Sequence, residues 1–298
     1  MVDPLSEVIN LLQPRAVFSK IISGAGAWAV RYAAFEQPSF SAVLEGRCRL
    51  QVDGQPEIEL VAGDFVLMPA TPGFVMSGYE VAEPAFVDPK LMPSPQGEVR
   101  HGRQDGPAEV RMLGGSFVFG SQDASLLVSL LPTLLHVRDV SRLATLVQLV
   151  RDESLAQRPG REHVLGNLVE VLLVEALRAN SAENAPVGLL RGLADTKLAV
   201  AMRALHADPA RSWTVEELAA TAALSRSAFF ERFSRAVGVP PMEYLLAWRM
   251  SLAKDLLRRP DSAIATVAQR VGYGSASTFS TAFSRHVGTP PGRFAKLQ

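Results

Sequence analysis

Ser225-Arg226-Ser227-Ala228-Phe229-Phe230-Glu231-Arg232-Phe233-Ser234-Arg235-Ala236-Val237-Gly238-Val239-Pro240-Pro241 returns fifty residues later as Ser275-Ala276-Ser277-Thr278-Phe279-Ser280-Thr281-Ala282-Phe283-Ser284-Arg285-His286-Val287-Gly288-Thr289-Pro290-Pro291. Two copies are too few for a solenoid, so a pair of similar modules is expected. In each copy the leading serine is placed to cap a helix through its hydroxyl. Phe229 and Phe233, and again Phe279 and Phe283, stand four apart and share a helix face. Gly238 and Gly288 tolerate the left-handed conformation that ends a helix, and the prolines that follow forbid its continuation. Upstream of the first copy, Thr214-Val215-Glu216-Glu217 reads as a capping box opening a short helix, with Val215, Leu218 and Ala219 as its inner stripe. Ala222-Ala223-Leu224 then makes a tight turn. Upstream of the second, Ile264, Val267, Ala268 and Val271 form the supporting helix, and Gly272-Tyr273-Gly274 a turn one residue longer. The pattern predicts two helix-turn-helix units.

The phenylalanines fix which side of each second helix faces inward. At about 100° per residue, the opposite side carries Ser227, Glu231 and Ser234 in the first copy and Ser277, Thr281 and Ser284 in the second. Such a slim polar face suits a helix entering a major groove about 12 Å wide. Arg235 and Arg285 sit lower on their helices, where phosphate contact is expected. Between the units, Met242 to Leu257 repeats Leu245, Leu246, Trp248, Leu252 and Leu256 at helical spacing. A helix of that length spans about 24 Å. With its flanks it would hold the two reading helices about 34 Å apart, one turn of DNA.

At 298 residues the chain has room for two domains, each with its own core. A net charge of zero hides an asymmetry: residues 1–120 carry 9 Lys/Arg against 14 Asp/Glu, residues 121–191 carry 7 against 8, and residues 192–298 carry 14 against 8. The basic excess travels with the repeat, as suits a polyanionic partner. Cys48 is the single cysteine, which excludes an intrachain disulfide and fits a reducing compartment. No basic stretch leads into an apolar run at the N-terminus, and no window approaches the about 20 apolar residues of a membrane span. A cytoplasmic chain without membrane contact is expected.

Residues 1–120 read as β. Trp28 to Phe35, Phe40 to Leu44, Cys48 to Val52, Ile58 to Leu60, Phe65 to Met68, Val110 to Leu113 and Phe117 to Phe119 are short stretches of β formers. Gln37-Pro38, Glu45-Gly46 and Asp53-Gly54 read as turns between them, the last closing a hairpin. Cys48, Leu50 and Val52 alternate with Arg47, Arg49 and Gln51, as on a strand with one wet face. A sandwich or small barrel follows. Residues 121–180 change period. Leu126, Leu127, Leu130 and Leu131 precede Pro132. Helices over Ser141–Ala156 and Glu162–Ala179 then flank the Arg158-Pro159-Gly160 break. Both are apolar over more than one face, which fits either packing against the barrel or a dimer seam. Residues 181–194, opening with Ser181-Ala182-Glu183-Asn184-Ala185-Pro186, read as a linker, and residues 195–298 as an all-α domain.

From Asp195 onward the chain resembles the DNA-binding domain of the AraC/XylS transcription regulators. Trp213 to Ala219, Leu224-Ser225-Arg226-Ser227, Phe233, Gly238 to Leu245, Trp248-Arg249-Met250, Ala253 and Leu256-Leu257 carry the resemblance. So do Ile264, Val267-Ala268, Val271-Gly272-Tyr273, Ser275, Phe279, Phe283 and Gly288-Thr289-Pro290-Pro291. The resemblance implies a seven-helix, bipartite reader of double-stranded promoter DNA that recruits or positions RNA polymerase. It places base contacts at Arg226, Ser227, Phe230 and Glu231 in the first unit and at Ala276, Ser277, Ser280 and Thr281 in the second. Glu231 departs from the basic or neutral residue usual there: a carboxylate accepts from cytosine N4 but is repelled by phosphates. Ala276 offers only apolar contact, as to a thymine methyl. The closing Phe294-Ala295 lacks the arginine common after the aromatic.

The N-terminal half is similar to the cupin-type sensing domain joined to many such regulators, through Leu11 to Arg15, Val43-Leu44-Glu45-Gly46 and Val61 to Pro69. The expected fold is α+β in two domains: a cupin-like β-barrel with a helical hairpin, then an all-α domain with two helix-turn-helix units. The expected function is sequence-specific transcription regulation by a homodimer under control of a small-molecule effector. The alternative is a cupin-like metal-dependent enzyme with an accessory helical domain. Such an enzyme needs clustered His and Glu ligands. The histidines are His101, His136, His163, His206 and His286, none in the first hundred residues. Where the cupin pattern often places histidine, the chain reads Pro38-Ser39-Phe40-Ser41 and Thr71-Pro72-Gly73-Phe74. No catalytic residue, metal or cofactor is expected, and His101 reads as a loop residue. Gly24-Ala25-Gly26 is too short for a phosphate loop. Cys48 reads as an inert inward thiol, with oxidant sensing as the alternative. Trp28, Tyr32, Phe40 and Phe74 either line an effector cavity or are plain core.

Overall fold

The computed structural model describes residues 3–12, 14–35, 37–88, 98–119, 128, 131–156, 158–179, 187–259 and 262–296. Its contacts separate two compact units, one of Pro14–Gly120 with Pro132–Asn180, the other of Met1–Gln13, Ser121–Leu131 and Ser181–Gln298. The chain opens with helix α1 (Pro4–Leu12), in a stretch read above as β. Its Leu5, Val8, Ile9 and Leu12 are buried, and it belongs to the helical unit.

Among the described residues the other unit holds a curled sheet of ten strands: β1 (Pro14–Ala25), β2 (Ala29–Tyr32), β3 (Ser39–Val52), β4 (Ile58–Val61), β5 (Phe65–Met68), β6 (Phe74–Ser77), β7 (Ala85–Val87), β8 (Val99–Gly102), β9 (Val110–Phe119) and β10 (Leu135–Val137). The main path runs β7-β2-β6-β3-β9-β1-β8, with β4 on β3 and β5 between β3 and β10. Asp53-Gly54 does close the β3–β4 hairpin, pairing Leu50 with Ile58. Glu45-Gly46 does not end a strand. β3 runs unbroken, its register against β9 shifts between Val43 and Glu45, and Gly46 takes φ 76°. A Cβ on Gly46 would lie 1.8 Å from the Glu109 carbonyl oxygen. The dipeptide therefore bends the strand at a bulge instead of reversing it. Up to Gly46, β3 pairs with β5 and β9; from Arg47 it pairs with β4 and β6. One strand thus feeds both halves of the curl. His101 is a second correction. It lies on β8, parallel to β1, and stacks 6.0 Å from Trp28, so strand pairing and not a loop holds it.

The interior is closed by Trp28, Val30, Tyr32, Val43, Cys48, Leu50, Val52, Val66, Met68, Phe74, Met76 and Met112. Arg47, Arg49 and Gln51 face outward as the alternation predicts. Helices α2 (Ser141–Leu155) and α3 (Arg161–Ala179) pack on each other and on β1. Gly160 turns between them at φ 80°. Arg142 reaches Glu175 at 3.2 Å and Arg158 reaches Glu153 at 3.4 Å. The buried stripes are Leu143, Val147 and Val150 on α2 and Leu165, Val169, Leu172, Leu173 and Ala176 on α3. Leu149, Leu155, Val164 and Val171 stay exposed.

The helical unit continues with α4 (Leu189–Ala194), α5 (Thr196–Ala207), α6 (Val215–Thr221), α7 (Arg226–Val237), α8 (Pro241–Leu257), α9 (Ile264–Arg270), α10 (Ala276–Val287) and α11 (Pro291–Lys296). Of the expected linker, residues 181–186 lie outside the described residues, as do Leu126, Leu127 and Leu130, while 189–194 are helical. Among the described residues no helix is long and apolar enough to cross a membrane.

Candidate nucleic-acid interface

The two halves share a serine cap, a left-handed turn residue and a glycine stop, while only the first opens its supporting helix with a capping box. Thr214 accepts the Glu217 N–H at 3.1 Å, and the Glu217 carboxylate accepts the Thr214 N–H at 2.9 Å, which completes the capping box of α6. At the turn Ala223 takes φ 50°, and the Leu224 N–H closes on the Ala219 carbonyl at 2.9 Å. Ser225 caps α7 by accepting the Ala228 N–H at 3.3 Å. In the second half Gly272 takes φ 82° at the turn, and Ser275 caps α10 by accepting the Thr278 N–H at 3.1 Å. Gly238 and Gly288 end their helices at φ 88° and 78°.

The aromatic pairs anchor both helices. Phe229, Phe233, Phe279 and Phe283 are all but inaccessible. Phe233 meets Tyr244 edge-on at 5.7 Å, and Phe283 meets Phe294 at 5.5 Å. Tyr244 and Trp248 of α8 are likewise buried, and farther along the same helix Met250, Ala253 and Leu257 enter the core of the second unit. α8 is therefore a shared spine, touching α7 and α10 alike.

With the rings inward, the opposite flanks are open. Arg226, Ser227, Phe230, Glu231 and Arg235 are exposed on α7; Ser277, Thr281 and Arg285 are exposed on α10, with Ala276 and Ser280 half-buried. Phe230 leaves 43% of its surface in solvent. The hydroxyls of Ser280, Thr281 and Ser284 donate to carbonyls four residues back, at 2.7, 3.2 and 2.7 Å. Their remaining lone pairs are left to accept.

Four contacts in this unit carry no periodicity signal, because each joins separate helices. Glu216 of α6 meets the Nε of Arg226 at 2.7 Å. Arg232 of α7 meets Asp195, the cap of α5, at 2.5 Å. Burial pushes the Asp195 carboxyl up, but Arg232 and two helix N–H groups outweigh it and hold the group below the usual range. His206 of α5 joins Glu7 of α1 at 3.0 Å through Nδ1 and the Tyr244 hydroxyl at 2.6 Å through Nε2. Glu7 can only accept, so Nδ1 carries the ring proton and Tyr244 donates to Nε2.

In the β unit, Trp28, Tyr32 and Phe74 share one core cluster, and Tyr32 stacks on Phe74 at 4.7 Å. Phe40 is not with them. It alternates with inward-facing Val43 and stacks on Phe65 at 6.1 Å, on the other face of the sheet. Cys48 is fully buried with Sγ 3.6 Å from the Met112 sulfur, and burial, with Asp64 nearby, pushes its thiol up to about 12. Asp64 accepts from Val61 N–H at 3.1 Å and sits 3.0 Å from His136 and 3.4 Å from Arg138. Among the described residues no group of three or more His, Cys, Asp or Glu could hold a metal ion.

Two family models match the chain: one described as Cupin over residues 3–182, and one described as Helix-turn-helix domain over residues 218–297. A putative AraC-like transcription regulator of Streptomyces lividans is 39% identical over 307 aligned residues, covering 99% of this chain and 98% of its own. Another, of Streptomyces antibioticus, is 38% identical over 301 residues with the same coverage. Both bear the same description, putative AraC-like transcription regulator. The crystal structure of wild-type ToxT from Vibrio cholerae strain SCE256 with bound unsaturated fatty acid covers 95% of each chain at 12% identity. Its TM-score is 0.38, too low a likeness to bear on either unit.

Proposed function

The chain belongs to the AraC-type DNA-binding transcription regulators, with an N-terminal cupin domain and a C-terminal helix-turn-helix domain, and from that premise we propose that it reads promoter DNA as a homodimer whose β unit answers to a small molecule. The observation that carries this reading is the pair of matched, open flanks on α7 and α10, mounted on one spine. Arg226, Ser227, Phe230 and Glu231 meet the bases of one major-groove segment, and Ala276, Ser277, Ser280 and Thr281 those of the next. Arg235 and Arg285 hold phosphates and so set register. RNA polymerase at the same promoter is the protein partner, and the cytoplasm the place of action. Exposed Leu149, Leu155, Val164 and Val171 on α2 and α3 support the homodimer, since burying them against a second copy removes apolar surface from water.

Control through the β unit needs a ligand that favours one arrangement over another. Trp28, Tyr32 and Phe74 are the side chains such a ligand would part, as they lie together and closely packed. That same close packing favours a second reading, in which the β unit serves assembly alone. A ligand screen read as a shift in melting temperature of the full chain separates the two.

Fluorescence anisotropy with duplexes from the chain's own upstream region tests DNA reading. The expected result is selective binding whose affinity falls steeply as salt rises. Folded protein that binds no duplex at low ionic strength, or binds all duplexes alike, contradicts it.

A further inference from the structure

The ion pair between Glu216 and Arg226 (2.7 Å) joins the supporting helix of the first unit to the first residue of its reading helix. Neither residue is needed to hold the unit together. Glu217, not Glu216, closes the capping box, and Ser225, not Arg226, caps α7. The internal repeat supplies a natural control. Counted from the caps of α9 (Ala263) and α10 (Ser275), the matching positions in the second unit are Ala265 and Ala276. Carboxylate and guanidinium occur together in one unit and are missing together from the other. Both units nevertheless share their aromatic pairs, their serine caps and their glycine stops.

The geometry points to Glu216 as a specificity-determining positioning residue that makes Arg226 a guanine reader. The inference rests on α7 being a reading helix. A carboxylate on Nε leaves the Nη1/Nη2 fork of Arg226 free, and that fork matches the paired O6 and N7 acceptors of guanine in the major groove. An unbraced arginine at this place would swing to the nearest phosphate, which is charged and always present whatever the sequence. Glu216 opposes that swing twice: it holds the guanidinium, and its own charge is repelled by phosphate. The second unit has no such pair, so Ala276 selects no guanine at the corresponding base pair.

The test is the affinity of the full chain for a duplex selected from a random pool, with each base pair of both half-sites replaced in turn. Wild type, Glu216→Ala, Glu216→Gln, Arg226→Ala and the double variant E216A/R226A are compared. Wild type is expected to prefer guanine at one position of the first half-site by about tenfold or more. Glu216→Ala and Arg226→Ala each lose that preference, and the double variant loses no more than either. Glu216→Gln, which keeps an acceptor but no charge, falls between. Glu216→Ala melts like wild type and binds unrelated DNA no more weakly. Two results overturn the inference: Glu216→Ala keeping the guanine preference, or Arg226→Ala weakening every duplex alike with a flatter salt dependence, as a phosphate contact would. A wild-type preference confined to the second half-site overturns instead the reading of α7 on which it rests.

Discussion

Ala223 and Gly272 hold the same place in the two turns, at φ 50° and 82°. An L-residue pays about 1–2 kcal/mol there that glycine does not. At Gly272 a Cβ would also lie 2.6 Å from the Ala210 carbonyl oxygen, which is backbone and cannot yield. Gly272→Ala is therefore expected to cost more than about 1 kcal/mol, whereas Ala223→Gly melts no lower than wild type; thermal denaturation of both checks the contrast. His206 sets a pH dependence. Burial lowers it below its ordinary 6.5 and outweighs Glu7, so the folded protein favours the neutral ring. The stability this contributes is whole above about pH 6.5 and is lost as the pH falls below it, because the unfolded chain takes the proton first. The melting midpoint should drop between about pH 7.5 and about pH 5.5, and His206→Gln should drop less. Some drop remains in that variant, as burial lowers His101 and His286 as well. Equal drops would remove His206 from the account. Single residues were unevenly legible: serine caps and glycine stops declare themselves by position. Glu216, Asp195 and Glu7 do not, since their partners stand on other helices and periodicity ties only neighbours on one helix.

The elements of the C-terminal third were legible because the reading helices carry local devices at both ends, a serine cap and a glycine stop, and the repeat shows these twice. Phe229→Ala and Phe279→Ala should each cost about 3–5 kcal/mol, each loosening its own unit; amide hydrogen exchange resolved by helix reads which one opens. Protection lost equally in both units would show that α8 couples them into one fold. The β elements were read less well for a physical reason. Glu45-Gly46 has the composition of a turn, but whether a glycine reverses a strand or bulges it depends on what lies alongside, here the Glu109 carbonyl of a strand far off in sequence. Strand β1 pairs with β8 and β9, likewise distant. Helix α1 is different: Leu5, Val8, Ile9 and Leu12 stand at helical spacing, a signal that one short helix beside a long β region carries only weakly. For α2 and α3, the exposed Leu149 and Val171 make a separable prediction. If the chain is the proposed homodimer, Leu149→Glu with Val171→Glu is expected to leave a folded monomer in sedimentation equilibrium; a variant that stays dimeric places the assembly surface elsewhere, and a monomeric wild type contradicts the homodimer.

For the molecule as a whole, charge and fold agree: the basic excess of residues 192–298 lies in the helical unit, and the acidic excess of residues 1–120 lies mostly in the sheet. That division suits a chain in which one part meets a polyanion and the other does not. The family was legible from the repeat, and the putative AraC-like regulators of Streptomyces align with 99% of this chain. The identity of a small-molecule effector was not legible, because the clustered aromatics of the sheet read equally as core and as cavity lining. Everything functional depends on α7 and α10 engaging successive major-groove segments of one duplex. Hydroxyl-radical footprinting of the full chain on a selected duplex measures this directly. Two protected windows on one face, about 10 bp apart centre to centre for each bound chain, are predicted. A single window, or two on opposite faces of the duplex, would contradict it.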